Sequence, residues 1–150
     1  MDKLLLKKRI IEECINHLQK IADRSLLEIT EADESAKDYG NPEDWTDTYK
    51  SDMLNKRDAY MVQHHKAIEE IGKLKLIGIN KEMDAVGYGA VVYTESLRLF
   101  ISTGIGKIVV GNEEFFVISP SVPIFIIMRN LSKGSIFEFR GKKDKIQEVF

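Results

Sequence analysis

The chain has 150 residues, 43% of them hydrophobic, with 22 Lys and Arg against 24 Asp and Glu, a formal net charge of −2 and a single cysteine, Cys14. Such a charge gives no global pull toward nucleic acid or membrane, and one cysteine excludes an internal disulfide framework and fits a reducing compartment. The leucines Leu4 to Leu6 between lysines are too short for a signal-peptide core, and no run approaches the roughly 18 apolar residues of a membrane span, so the expectation is a soluble cytoplasmic protein.

From Leu4 to about Ala36, apolar residues recur at helical spacing (Leu4, Ile11, Cys14, Ile15, Leu18, Ile21, Ala22, Leu26, Ile29) with charged residues between them. This predicts one helix of roughly 30 residues, about 45 Å long at 1.5 Å per residue. Gly40, Asn41 and Pro42 then break it, because Gly costs about 1 kcal/mol and Pro about 3 kcal/mol relative to Ala inside a helix. After the break Asp44 or Thr46 can cap a second helix, whose stripe runs Trp45, Tyr49, Met53, Tyr60, His64, Ala67, Ile68, Ile71 and Leu74. Two such narrow stripes suit an antiparallel coiled-coil hairpin over residues 1–78.

The turn between the helices, about residues 38–47, is dense in carboxylates. Residues 28–58 hold ten acids against four bases, a net charge of −6, so that the remainder of the chain sums to +4. In a hairpin, Asp38, Glu43, Asp44 and Asp47 collect at its far end, either as a solvated tip or as a functional one. Other features of the hairpin read more simply. Cys14 falls on the apolar stripe and reads as a small buried hydrophobe. His17, His64 and His65 lack a second ligand cluster at metal spacing. Trp45 and Tyr49 read as packing at the hairpin end rather than as a base-stacking platform.

Near residues 75–85 the period changes. Beyond it, residues 87–93, 97–101, 107–110, 115–118, 135–139 and 145–149 read as short strands, with turns at Glu95-Ser96, Gly104-Ile105-Gly106, Gly111-Asn112 and Gly141-Lys142-Lys143. Ser119-Pro120-Ser121-Val122-Pro123 interrupts them, and an apolar helix, Ile124 to Asn130, can follow. The expectation is an antiparallel sheet domain with one helix over residues 79–150, and an α+β fold overall. Neither Gly87-Tyr88-Gly89 nor Gly104-Ile105-Gly106 has the context of a phosphate loop, and no nucleophilic triad is legible. Lys133, Arg140, Lys142, Lys143 and Lys145 cluster late and suit either an acidic partner or a solvated strand edge.

A hairpin followed by a small sheet domain containing Phe116-Val117-Ile118-Ser119-Pro120-Ser121-Val122-Pro123, a short helix and Lys133-Gly134-Ser135 resembles the Gre family of transcript-cleavage factors. The motif is confined to about residues 86–150, where Ser121, Val122 and Pro123 stand near the family's Ser-Pro and Lys133-Gly134 near its Lys and Gly. The turn departs from the family's Gly-Asp-Leu-Ser-Glu-Asn: turn and acids are present in another register. The resemblance implies an FKBP-like second domain and a role as an elongation factor that is not itself an enzyme. It implies binding to core RNA polymerase through Ser119, Pro120, Ser121, Pro123, Lys133 and Gly134, with DNA binding weak or absent. The hairpin would enter the secondary channel, where Glu43 and Asp44, with Asp38 or Asp47 as substitutes, help hold a second Mg²⁺ shared with the polymerase near the RNA 3′ end. A non-cleaving channel regulator, an FKBP-like isomerase or chaperone with Phe100, Phe115, Phe116, Phe125 and Phe137 around a pocket, and a structural adaptor are the alternative expectations.

Overall fold

The computed structural model describes residues 2–38 and 44–150, apart from the side chains of Asp38 and of residues 44–47. Two long helices, α1 (Lys3–Asp38) and α2 (Asp44–Lys75), precede strands β1 (Val91–Thr94), β2 (Arg98–Ile101), β3 (Gly106–Val110) and β4 (Glu113–Ile118). A short helix α3 (Pro123–Met128) and strands β5 (Ile136–Phe139) and β6 (Lys142–Val149) complete an α+β arrangement. The chain forms two compact units, Met1–Ile15 with Lys73–Phe150, and Asn16–Gly72.

Within the second unit α1 and α2 run antiparallel. The backbone carbonyl of Ala22 meets His64 Nδ1 at 2.9 Å, and Asp33 pairs with Arg57 at 3.1 Å, so that advancing along α1 means retreating along α2. The seam of α1 is Leu18, Ala22, Ser25, Ala32 and Ala36, all buried, with Ile29 half-buried among them. These positions alternate spacings of four and three, the 3.5-residue repeat of a coiled coil. Opposite them α2 offers larger side chains, the half-buried Met53, Arg57, Tyr60 and His64, then buried Ala67. Small residues on one helix against large ones on the other let the backbones approach without leaving voids.

The expected stripes need two corrections here. Leu26 is 52% exposed and Ile68 45% exposed, although both belong to the helical recurrences of their segments. The cause is phase: a seam followed at 3.5 residues per turn admits Ser25 and turns its neighbour Leu26 to the flank, and admits Ala67 while excluding Ile68.

The sheet has the order β3-β4-β2-β1-β6-β5. It is antiparallel except between β2 and β4, which pair in parallel with Leu99 opposite Phe116 and Ile101 opposite Ile118. The turn after β2 carries the chain two strand positions outward to β3, and β4 then returns to fill the place between β3 and β2. One face holds the core of Val92, Leu99, Ile101, Ile146 and Val149, covered by Phe125 and Met128 of α3. The other face presents buried Val91, Phe100, Phe115 and Val117, and Tyr93 packs against the rings of Phe115 (6.1 Å) and Phe150 (5.7 Å).

Glycine conformations sharpen the turn assignments. The expected strand from Gly87 begins only at Val91: Gly89 has φ +86°, a Cβ there would come within 3.1 Å of Ile77, and Ala90 N–H donates to the Gly87 carbonyl. The β5–β6 turn is Arg140-Gly141, with φ of 52° and 78°, the paired positive values of a type I′ hairpin, so Lys142 and Lys143 belong to the strand.

The start of α1 belongs to the same compact unit as the sheet. Lys3 donates to Glu148 at 2.9 Å and lies 5.9 Å from the centre of the Phe150 ring. One turn on, Lys7 is only 1% exposed and has no hydrogen bond or ion pair among the described residues; burial lowers its pKa from the usual lysine value. A base whose pKa is lowered by folding destabilises the fold wherever the unfolded chain would be protonated, which includes neutral pH. Lys7→Met should therefore raise the thermal unfolding midpoint at pH 7, and the gain should shrink as pH rises toward the unfolded lysine range; circular dichroism melts of both proteins across pH would show it.

Candidate functional site

The acidic turn is bracketed by the end of α1 at Asp38 and the start of α2 at Asp44. Glu43 lies outside the described residues; Asp38, Asp44 and Asp47 have helical backbones, and their side chains lie outside the description. Farther along the two helices Arg57 bridges Asp33 at 3.1 Å and Asp58 at 3.0 Å, and these two carboxylates raise its pKa further. Glu31, Glu34 and Asp52 are exposed around this bridge, so the segment keeps an acidic surface. Among the described residues no group of three or more His, Cys, Asp and Glu side chains is arranged to hold a metal ion.

The residues expected to meet a partner fall into two local structures. In the first, Ser121 N–H donates to Ser119 Oγ (3.2 Å), the two hydroxyls lie 2.9 Å apart, and Val122 N–H returns to the Ser119 carbonyl at 3.2 Å. Pro120 occupies the position of this turn that its fixed φ favours. Pro123 then opens α3, where its missing N–H costs nothing. In the second, Gly134 at φ +91° donates to the Ile146 carbonyl at 2.8 Å, and Lys133 Nζ donates to Glu148 at 3.0 Å. The first group closes on itself and the second ties to β6; the hydrogen bonds do not join them.

Glu148 thus serves two cations, Lys3 through one oxygen and Lys133 through the other, and these bonds hold its pKa below the usual carboxylate value. The late basic cluster is partly engaged: besides Lys133, the Arg140 guanidinium stands 5.0 Å from the Phe139 ring centre. Lys142, Lys143 and Lys145 are exposed on β6. Cys14 is buried, and burial together with the charge of Glu13 pushes its thiol up to about 12, which makes it an inert core residue. Of the phenylalanines considered for a pocket, Phe100 and Phe115 are fully buried, Phe125 and Phe137 nearly so, and Phe116 is partly exposed.

Among the described residues, the carboxylate with the most hydrogen bonds was not legible in sequence. Asp144 accepts from Thr94 Oγ1 (2.8 Å), Ser96 Oγ (2.5 Å), Glu95 N–H (3.0 Å) and Lys145 N–H (2.8 Å). Thr94 in turn accepts from Leu97 N–H at 2.9 Å, so one carboxylate from β6 and one hydroxyl organise the whole β1–β2 turn. Nothing in the run Lys142-Lys143-Asp144-Lys145 signals this, because the bonded turn lies about fifty residues earlier in the chain. A comparison with known protein-family models finds no match for the chain, and a comparison with curated proteins finds none.

Burial disfavours the Asp144 charge, but the hydrogen bonds from Ser96, Thr94 and the two amides outweigh it and lower its pKa. A carboxyl whose pKa is depressed by folding adds stability above its unfolded pKa, and that stability is lost as pH falls through the folded value. Asp144→Ala should cost about 1–3 kcal/mol at pH 7, the range for removing a charged acceptor from satisfied donors. It should also flatten the acid limb of the stability profile; urea titrations at pH 7 and at progressively lower pH compare the two proteins.

Proposed function

We propose that this protein acts on RNA polymerase from the cytoplasm as a Gre-type elongation factor: the sheet domain, FKBP-like in this reading, docks on the core enzyme and the helical hairpin enters the secondary channel. The observation that carries the proposal is the pairing of two antiparallel helices of 36 and 32 residues around a turn whose sequence holds Glu43 and Asp44. At 1.5 Å per residue each helix extends roughly 50 Å, long enough to carry a side chain deep into a narrow pore.

The chemistry of the turn suits the role. Carboxylate oxygens are the donors that a small hard cation takes, and acids on a hairpin end hold such an ion only when a second protein completes the set. Mg²⁺ bound between turn and polymerase would supply charge stabilisation to the attacking and leaving oxygens during hydrolysis of backtracked RNA. Glu43 and Asp44 would help hold the ion and a water, with Asp38 and Asp47 as substitutes; in this reading the nuclease activity belongs to the polymerase. Ser119, Pro120, Ser121, Pro123, Lys133 and Gly134 contribute the docking surface, whose rigid turns would need little ordering on binding.

A second reading, a channel-occupying regulator that does not promote cleavage, is favoured by one observation: the acids of Gly40-Asn41-Pro42-Glu43-Asp44-Trp45-Thr46-Asp47 do not stand in the register of the Gre turn. An FKBP-like isomerase is disfavoured, because Phe100, Phe115, Phe125 and Phe137 are spent on the core.

The deciding experiment is RNA cleavage in a stalled, backtracked elongation complex at fixed Mg²⁺. The protein should accelerate cleavage, and Glu43→Gln with Asp44→Asn should remove at least nine-tenths of that acceleration while leaving polymerase binding intact. Suppression of a genuine cleavage factor without any acceleration would establish the regulator instead, and absence of both effects and of binding would reject polymerase as the target.

A further inference from the structure

The two ends of the hairpin are packed very differently. Toward Asn16 and Gly72 its seam buries Leu18 and Ala22 of α1 and Ala67 and Ile71 of α2. Beyond the contact of the Ala22 carbonyl with His64, the described buried side chains of α1 are Ser25, Ala32 and Ala36, and none of residues 48–66 of α2 is buried. Ile29, Met53, Leu54, Arg57 and Tyr60 are half-buried there. Alanine and serine remove little apolar surface from water, so this stretch has little of the burial that normally stabilises a pair of helices. The sheet unit is the opposite case: Val91, Val92, Phe100, Ile101, Phe115 and Ile146 are all fully buried.

Polar links do not make up the difference. Among the described residues the ion pair that crosses this stretch is Asp33 with Arg57, whose side chains are 38% and 31% exposed, and water-exposed pairs of this kind add little. Thr30 turns its hydroxyl back to the Leu26 carbonyl at 3.1 Å, which weakens a helix slightly instead of joining it to its neighbour. Local stability follows the density of buried apolar contacts, and a region poor in them opens at a lower free energy than the core.

We infer that residues 25–37 and 48–64 open and close together as one unit while the sheet unit stays folded. Each stretch is the packing partner of the other, so the loss of one removes what the other needs, and helical segments of about this length are marginal in water alone. Only the closed form keeps the helices paired on either side of the acidic turn. A partner that takes the intact hairpin therefore binds the closed fraction alone and shifts the equilibrium toward it. The opening is a property of the free chain and does not depend on polymerase being that partner.

Hydrogen exchange of the full-length protein without any partner, followed by mass spectrometry at neutral pH, tests this. Peptides from 25–37 and 48–64 should share one protection factor, on the order of a hundred-fold or more below that of peptides from β1, β2 and β4. Arg57→Ala should speed exchange of both hairpin stretches by about two- to five-fold and leave the sheet peptides unchanged. Thr30→Ala, at an exposed position of α1, should slow both by about two- to three-fold, because alanine is the better helix former. A response in α2 to a change in α1 is the mark of a shared opening. Hairpin peptides as protected as the sheet overturn the inference. So does protection that climbs steadily away from the turn end of each helix, which is fraying, or an effect of either substitution confined to its own helix.

Discussion

One helix must satisfy two cores. α1 contributes Lys7, Ile10, Ile11 and Cys14 to the unit that contains the sheet, and Leu18, Ala22, Ser25, Ala32 and Ala36 to the hairpin. Its buried face changes character between them, from bulky aliphatics to small residues that admit the larger side chains of α2 at close range. Leu26 and Leu27, in the hairpin stretch, fall outside the seam that α2 sets. In the first of these cores Lys7 is 1% exposed, and burial lowers its pKa.

The sheet is held by a different kind of constraint. Its apolar faces would tolerate alternative strand arrangements, but the turns would not. Asp144 on β6 reaches across to fix the β1–β2 turn, Arg140-Gly141 sets the β5–β6 hairpin, and Glu148 ties the start of α1 and the approach to β5 to the same strand. Strand β6 is therefore the element through which both ends of this unit are registered. Polar side chains with every lone pair engaged specify one arrangement in a way that apolar contacts of similar area do not.

The residues proposed to dock on a partner, Ser119 to Ser121, Pro123, Lys133 and Gly134, lie in turns at the surface of the sheet unit rather than in its core. The Ser119 to Pro123 turn is closed by its own hydroxyls and presents polar atoms on a stable support. On the hairpin, Leu26, Leu27, Met61 and Val62 add exposed apolar side chains.

Local signals in the sequence determined where the helices begin and end, that Gly40 to Pro42 interrupts them, that strands follow residue 85, and that Ser119 to Pro123 turns into a short helix. Each depends on the conformational preferences of neighbouring residues or on charge within a few positions, and α1, α2 and α3 follow them closely. The turn of Ser119, Pro120, Ser121 and Pro123 was legible for the same reason, and the acids of the hairpin turn as a local excess of charge. Tertiary structure alone decided that Ser25 rather than Leu26 enters the seam, because the choice between adjacent positions depends on the supercoil phase imposed by α2. It alone decided that β4 lies parallel beside β2, that Lys7 is buried, and that Asp144 organises a turn about fifty residues away. Such contacts join residues far apart in the chain, and no short-range preference encodes which distant partner a side chain will meet.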